Sequence, residues 1–257
     1  MGERLGKLTD RIVHRRALTR WSRAAARAPD MHLGELRKLR TRARALRRRL
    51  DKVLHVADGR LTLPLIGANA IEKPLHSDWA WRPELWSGPI SPSGLAAVRS
   101  KARLGDELAV FHDCEHSELT VRQIRNRREE DLAPFGLRMD VFNFDGSFLS
   151  LVLDLPPAMI DGLNRSHLVR LGATIELEQP LEIFARLNIR NGPNTDQLVR
   201  ELQTGAGSVA VDFDLACSNI NEKRLERAWL DLIFEGPRLN QITLRDITFS
   251  RRPRAEL

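Results

Sequence analysis

The sequence lacks tyrosine, contains only two cysteines and has no apolar run of the roughly 18 residues that a membrane-spanning helix requires. Without tyrosine, any aromatic contact with a ligand must come from tryptophan or phenylalanine. Cys114 and Cys217 are too few for a disulfide framework, and there is no CxxC pair to hold zinc. These absences predict a cytoplasmic protein with no transmembrane segment, and an exported protein without disulfides is the alternative. We also predict no metal and no cofactor.

Short motifs of common enzyme chemistries are also missing. We find no nucleophile elbow, no P-loop, no dinucleotide-binding glycine motif and no kinase signature. The segment FHDCEH, residues 111–116, holds two histidines four residues apart, but ELAVF before it is typical of a strand, in which they would lie roughly 13 Å apart. We therefore predict no metal site, and an unrecognised hydrolase is only the third hypothesis for function.

The positive charge of the chain is concentrated in its first quarter. The net charge is +7, yet residues 1–60 hold 18 Lys and Arg against 6 Asp and Glu, whereas the remainder holds 23 against 28. Such a basic region attracts nucleic acid, acidic lipid or acidic protein.

Residues 1–59 are predicted to form a basic helical arm. A helix over 3–27 is interrupted at Pro29, Asp30 is placed to cap a second helix, and Gly59 is placed to end it. In the second helix, steps of four and three separate residues that are typical of a coiled-coil seam: His32, Leu36, Leu39, Ala43, Leu46, Leu50, Val53 and Ala57.

Arginines crowd the other positions of this second helix. Five of them are predicted to contact an anionic partner: Arg37, Arg40, Arg44, Arg47 and Arg48. Two alternatives stay open for the arm, because the leucine seam favours self-association into a homo-oligomer, whereas the arginines favour a nucleic acid or a membrane surface.

Residues 60–105 are predicted to form a wrapping connector, because they are rich in proline: Pro64, Pro74, Pro83, Pro89 and Pro92. The connector also carries three of the five tryptophans. Trp79 and Trp81 are two apart in an extended stretch and share a face. We predict that these indoles pack the connector onto the body of the protein.

Residues 106–257 have the period of two that is typical of strands. Apolar residues alternate with polar ones in several runs, for example over 169–178. Asp145 and Gly146 predict a hairpin turn, and the apolar phase slips between Leu244 and Ile247, which predicts a β-bulge. We predict a mainly β fold: an antiparallel sandwich of the jelly-roll or galactose-binding-like kind, behind the α-helical hairpin arm.

Several segments together resemble a family of alphaproteobacterial proteins defined as a domain of unknown function. They are WSRAA, LPLIGANAI, DWAWRPELW, FHDC, REEDLAPFGLRMDVFNFDGSFLSLVLDLP, RNGPNT, DLIFEGP and RDITFSRRPRAEL. This resemblance spans nearly the whole chain and implies no activity. The body is also similar in rhythm to galactose-binding-like sandwiches of carbohydrate-binding modules, in which the chain ends in a strand of the ITLRDITF kind.

The outward positions of the predicted strands suggest a ligand site. If Leu230 points into the core, Trp229 and its polar neighbours point away from it. An indole beside carboxylates, an amide and a guanidinium suits a sugar. The predicted residues are Trp229, Asp231, Asp212, Asp214, Arg186 and Asn188. Alternatively, these residues form ordinary cross-strand ion pairs, and the connector or the helical arm covers Trp229.

The sequence therefore predicts a non-catalytic binding or assembly protein, whose sandwich takes a glycan and whose arm self-associates or meets an anionic partner. A nucleic-acid or membrane-surface adaptor is the second hypothesis. The face around Trp229 distinguishes these hypotheses, because a glycan needs that face to be open.

Overall fold

A computed structural model describes residues 2–62, 70–116, 118–205 and 207–254. Among these residues, the α-helices are α1 (Gly2–Arg27), α2 (Leu33–Thr62) and α3 (Glu84–Ser87). The strands are β1 (Trp79–Trp81), β2 (Gly94–Leu95), β3 (Ala102–Leu104), β4 (Leu108–His112), β5 (Leu119–Arg125), β6 (Phe135–Val141), β7 (Leu149–Asp154), β8 (His167–Leu177), β9 (Ile183–Asn191), β10 (Asn194–Leu202), β11 (Ser208–Asp214), β12 (Leu225–Phe234) and β13 (Asn240–Pro253). The chain divides into two compact units, Met1–Val53 and Leu54–Leu257.

The second unit is a sandwich of two antiparallel sheets. Sheet I has the order β11-β8-β13-β6-β5-β2, with β1 added beside β13, and sheet II has the order β10-β9-β12-β7-β4-β3. Their inner faces enclose one continuous core of aliphatic, methionine and phenylalanine side chains, together with Trp86. The predicted mainly β sandwich is therefore confirmed.

Alternation in the sequence explains which face of each strand is buried. In β8, the side chains of Val169, Leu171 and Ala173 lie in the core, and the residues between them are half-exposed on the outer face of sheet I. Burying a large aliphatic side chain stabilises the fold by about 1.5–3 kcal/mol, so a shift of register by one residue would be costly.

The predicted β-bulge is confirmed in β13, where the register against β8 shifts between Leu244 and Asp246. Two side chains hold the bulged backbone. The indole Nε1 of Trp86 donates to the carbonyl of Leu244 at 2.9 Å, and the amide of Asn126 donates to the carbonyl of Arg245 at 2.9 Å. The bulge thus gives Arg245 and Asp246 their positions on the outer face.

The described part of the connector, residues 70–105, joins both sheets. Its strands pair with β13, β5 and β4. Trp86 is completely buried, and the ring of Trp81 lies 6.4 Å from that of Trp79 and 5.6 Å from that of Phe249. The prediction that these tryptophans pack the connector onto the body is confirmed. Residues 63–69 of the predicted connector lie outside the described residues.

The predicted hairpin at Asp145 and Gly146 is wrong. β6 lies in sheet I and β7 in sheet II, so this turn carries the chain from one sheet to the other. The physical reason is that both edges of β6 are already paired, with β5 and β13. The Asp113 carboxylate fixes the crossing by accepting hydrogen bonds from the backbone of Ser147 and Phe148.

The helical arm has different helix ends from those predicted. Asp30 does not cap α2, because it belongs to a 3-10 turn over Ala28–Asp30, and α2 begins at Leu33. Pro29 suits the first residues of such a turn, since its fixed φ is helical. Gly59 does not end α2, which continues to Thr62, because one glycine costs a helix only about 1 kcal/mol.

Candidate binding groove

A groove of about 730 Å³ lies on the outer face of sheet I, and we call it the sheet I groove. Its floor consists of short side chains on three neighbouring strands. On β8, Thr174 lies between Ser208 of β11 and Asp246 of β13, and Gly172 lies beside Thr248. A Cβ atom on Gly172 would lie 2.8 Å from the hydroxyl oxygen of Thr248. Because residue 172 is glycine, no side chain fills the groove at this point.

Two segments far apart in the sequence form the walls of the groove. They are Glu72, Lys73 and Pro74 of the connector and the loop that contains Arg128, Glu130, Asp131 and Leu132. The guanidinium of Arg245 donates to Glu176 at 3.0 Å, and Arg128 forms an ion pair with the same carboxylate. The bulge in β13 is what brings Arg245 to this wall.

Hydroxyl groups supply much of the hydrogen-bonding capacity of the floor. Thr174, Ser208, Thr248 and Ser250 line the groove. Their hydroxyls form no hydrogen bond to another described residue. Each hydroxyl can donate one hydrogen bond and accept two. A ligand rich in hydroxyls or amides would find complementary partners here.

The arginines that line the groove are held in ion pairs. Arg170 binds Asp212 at 2.7 Å through both Nε and Nη2, and Arg82 binds Asp246 at 2.8 Å in the same bidentate manner. The hydrogen bond from Arg170 outweighs partial burial and lowers the pKa of Asp212 below that of an ordinary aspartate. Burial raises the pKa of Glu176, but its arginine partners outweigh burial and hold that pKa low as well.

These lowered pKa values predict that the sandwich loses stability in acid. A carboxylate whose pKa is lower in the folded state stabilises the fold above its unfolded pKa, about 3.9 for aspartate, and this stabilisation is lost as the pH falls through the folded pKa. We expect the free energy of unfolding to fall below about pH 4. The difference in free energy of unfolding between the wild type and Asp212→Asn should become smaller as the pH falls through this range.

Urea unfolding of both proteins at pH 7, 5 and 3.5 measures this difference. Glu129→Gln, at an exposed carboxylate, is the control and should follow the wild-type curve. A difference between wild type and Asp212→Asn that is constant over the whole range would contradict the assignment.

The structure separates the sequence-predicted ligand residues into two groups. Trp229 and Asp231 on β12 lie opposite Asn188 and Arg186 on β9, on the outer face of sheet II. Asp212 and Asp214 lie on β11 in sheet I. The carboxylate of Asp214 accepts from the backbone of Ala216 and forms an ion pair with Arg254.

The four residues on sheet II bind one another closely. The carboxylate of Asp231 accepts from Arg186 at 2.7 Å and from the amide of Asn188 at 3.1 Å, and both Asp231 and Asn188 are buried. The guanidinium of Arg227 lies 4.5 Å from the centre of the Trp229 ring. Trp229 is only partly exposed, and the polar groups beside it already have partners.

A sequence profile of a family of unknown function, DUF6478, matches residues 1–257. The chain belongs to the DUF6478 family. The predicted membership in an uncharacterised family is confirmed, whereas the alphaproteobacterial origin stays a prediction. No curated protein matches the DUF6478 sequence at a significant level.

Several solved structures have partial similarity to the chain. The enzymatically active domain of tailspike protein 4 of bacteriophage CBA120 is 8% identical over 55% of this chain and 19% of that chain, with a TM-score of 0.40. The chain thus spans about a fifth of that protein's length. The family 11 carbohydrate-binding module from Clostridium thermocellum, in complex with a β-1,3-1,4-mixed-linked tetrasaccharide, is 9% identical over 65% and 100% of the chains, with a TM-score of 0.40. The xylan-binding domain of Paenibacillus barcinonensis Xyn10C is 9% identical over 63% of this chain and 94% of that chain, with a TM-score of 0.35. Similarities of this size carry no function across.

The arm of the chain exposes all five of the predicted anion-binding arginines. Among the described residues, Arg47 is the only one of the predicted five with an ion pair, to Asp51 at 3.5 Å. A second concave surface of about 720 Å³ on the arm is lined mainly by arginines of α1: Arg15, Arg16, Arg20, Arg23 and Arg27. No described helix is both long enough and apolar enough to cross a membrane.

In the FHDCEH segment, hydrogen bonds hold the first histidine in place. His112 is buried at the end of β4, where its Nε2 lies 2.8 Å from the carbonyl oxygen of Val98. Its Nδ1 accepts from the backbone of Cys114 at 3.2 Å. Burial is the largest of the effects that raise the pKa of the Cys114 thiol. Within the described residues, no three His, Cys, Asp or Glu side chains are placed to hold a metal ion.

Proposed function

We propose that the sandwich is a non-catalytic binding domain for a neutral, polyhydroxylated ligand, that is, a glycan. The observation that carries the proposal is the sheet I groove, with its hydroxyl-lined floor between fixed ion pairs. Its volume lies within the range of about 300–1,000 Å³ that is usual for small-molecule sites.

The pairing of charges favours a neutral ligand over an anion. Asp212, Glu176 and Asp246 each hold an arginine, so an incoming phosphate would have to compete with a carboxylate for each of these guanidinium groups. Sugar hydroxyls can instead donate to the carboxylates and accept from the guanidiniums without breaking the pairs. None of the described lining residues is aromatic, which disfavours a flat apolar ligand.

Two carboxylates of the groove support a non-catalytic function. Glycoside hydrolysis requires one carboxyl group with a raised pKa as the general acid. Arginines hold the pKa of Glu176 low, and Asp246 is bound bidentately by Arg82. A binding domain needs only fixed hydrogen-bonding groups, which these ion pairs provide.

Binding to a panel of oligosaccharides tests this proposal, with mixed-linked β-glucan tetrasaccharide, xylohexaose and β-1,4-galactotriose as first probes. In Thr174→Val/Thr248→Val, both hydroxyls are removed at almost constant shape. If each hydroxyl forms one ligand hydrogen bond of about 1 kcal/mol, affinity should fall roughly tenfold or more. Thr195→Val, at an exposed threonine of β10 in sheet II, should bind as the wild type does.

Trp229→Ala decides between the two faces of the sandwich. The predicted cluster around Trp229 on sheet II is the alternative location for the same ligand. Loss of binding in Trp229→Ala with unchanged binding in the threonine variant would place the ligand there and contradict the groove. An absence of binding to every oligosaccharide would contradict the glycan proposal itself.

We further propose that the arm attaches the protein to an anionic partner. The arginines of α1 and α2 support this proposal, because only one ion pair, Arg47–Asp51, is formed among the described residues of the arm. The predicted homo-oligomer, through the leucine seam, is the competing hypothesis. The cytoplasmic location stays a prediction that rests on the low cysteine content.

A further inference from the structure

Helix α2 has an apolar stripe that the described residues leave largely uncovered. Leu36, Leu39 and Ala43 are half-buried, but further along the same stripe Leu50 is 52% and Val53 is 64% exposed. A stripe of this kind on a polar helix normally packs against another apolar surface. The question is which partner covers it.

Two rows of arginine border this stripe. At 100° per residue, Arg40 and Arg47 lie along one side of the stripe, and Arg42 and Arg49 lie along the other. In a coiled coil these four residues occupy the e and g positions, where they would face the same arginines of a second copy. Like charges at these positions repel, so the pattern disfavours self-association through this seam.

A nucleic acid would satisfy the arginines but not the leucines. Phosphate contacts need basic side chains alone, and binding of that kind would leave Leu46, Leu50 and Val53 in water. An anionic lipid surface satisfies both groups. The apolar stripe enters the boundary between headgroups and acyl chains, while the long arginine side chains reach outward to the lipid phosphates.

We propose that α2 binds an anionic lipid bilayer as an interfacial helix, lying in the membrane surface with its leucine stripe inserted. This inference rests on the proposed attachment of the arm to an anionic partner, and it names that partner. The arginines supply electrostatic attraction to the anionic headgroups, and each basic residue near the surface strengthens it.

Vesicle co-sedimentation of the full-length protein tests the inference. We expect binding to vesicles of phosphatidylcholine and phosphatidylserine mixed three to one, and little binding to vesicles of pure phosphatidylcholine. Leu46→Ser/Leu50→Ser should weaken binding to the mixed vesicles by about tenfold or more, because two apolar side chains leave the acyl boundary. Leu18→Ser/Leu33→Ser removes two exposed leucines outside the stripe and should bind as the wild type does.

Binding to a duplex DNA probe separates this inference from the function on which it rests. Arg40→Gln/Arg47→Gln should weaken vesicle binding, and circular dichroism should show that all variants keep their helix content. Binding to DNA without binding to mixed vesicles would overturn the lipid assignment and leave the anionic-partner proposal standing. Equal vesicle binding by wild type and the Leu46→Ser/Leu50→Ser variant, or a dimer that this variant dissociates, would also overturn it. Binding to neither probe would overturn the lipid assignment and leave an acidic protein as the anionic partner of the arm.

Discussion

Replacing Trp86 with alanine is expected to destabilise the sandwich by about 3–5 kcal/mol, the usual cost when a large aromatic side chain is removed from a core. Trp86 is completely buried, and its indole N–H is hydrogen-bonded to the carbonyl of Leu244. The substitution therefore leaves a cavity and a buried carbonyl without its donor. Since domains are stable by only about 5–15 kcal/mol, this is a large fraction of the total.

Urea unfolding followed by near-ultraviolet circular dichroism measures this loss. Trp21→Ala is the matched control, since Trp21 lies in α1 of the arm and should leave the unfolding of the sandwich unchanged. A loss of less than about 1 kcal/mol for Trp86→Ala would contradict the central position assigned to this indole.

Replacing Arg82 with alanine is expected to cost about 3–5 kcal/mol, because it leaves the Asp246 carboxylate without its buried partner. The Arg82 side chain is only 3% exposed and that of Asp246 15% exposed. Two nitrogens of the guanidinium, Nε and Nη2, each donate to the Asp246 carboxylate at 2.8 Å. Nη2 also donates to the carbonyl of Ala70 at 2.9 Å. The connector is thereby joined to β13 at the floor of the groove.

An exposed ion pair supplies the comparison for Arg82. Arg103 and Asp154 lie 3.1 Å apart, but both side chains are about half-exposed, so Arg103→Ala should cost no more than about 1 kcal/mol. If both substitutions cost the same in urea unfolding, burial is not what gives the Arg82 pair its strength.

Much of the fold could be predicted from the sequence because its causes are local. Alternation with a period of two marked the strands, and the phase slip before Ile247 marked the bulge. Helix ends were predicted poorly at Asp30 and Gly59, since one cap or one glycine contributes about 1 kcal/mol and neighbouring residues outweigh it. The hairpin at Asp145 failed because pairing partners of β6 come from distant parts of the chain.

The site was harder to predict for the same reason. The sequence grouped six residues into one site, but Asp212 and Asp214 lie in sheet I and the other four in sheet II, because strand pairing between distant segments decides which strands are neighbours. The sheet I groove was missed. Its floor has the polar alternation of any solvated strand, and its walls come from residues 72–74 and 128–132. Gly172 in the middle of a strand was the one local signal, because glycine there often marks a close approach to a ligand.

The central claim is that the sheet I groove binds a glycan, and the most direct measurement is a titration of isotope-labelled protein with the tightest-binding oligosaccharide of the panel, followed by backbone amide NMR. We expect the largest shift changes at Gly172, Thr174 and Thr248, with those at Asn188 and Trp229 unchanged. Shift changes centred on Asn188 and Trp229, or no saturable change at any amide, would contradict the claim.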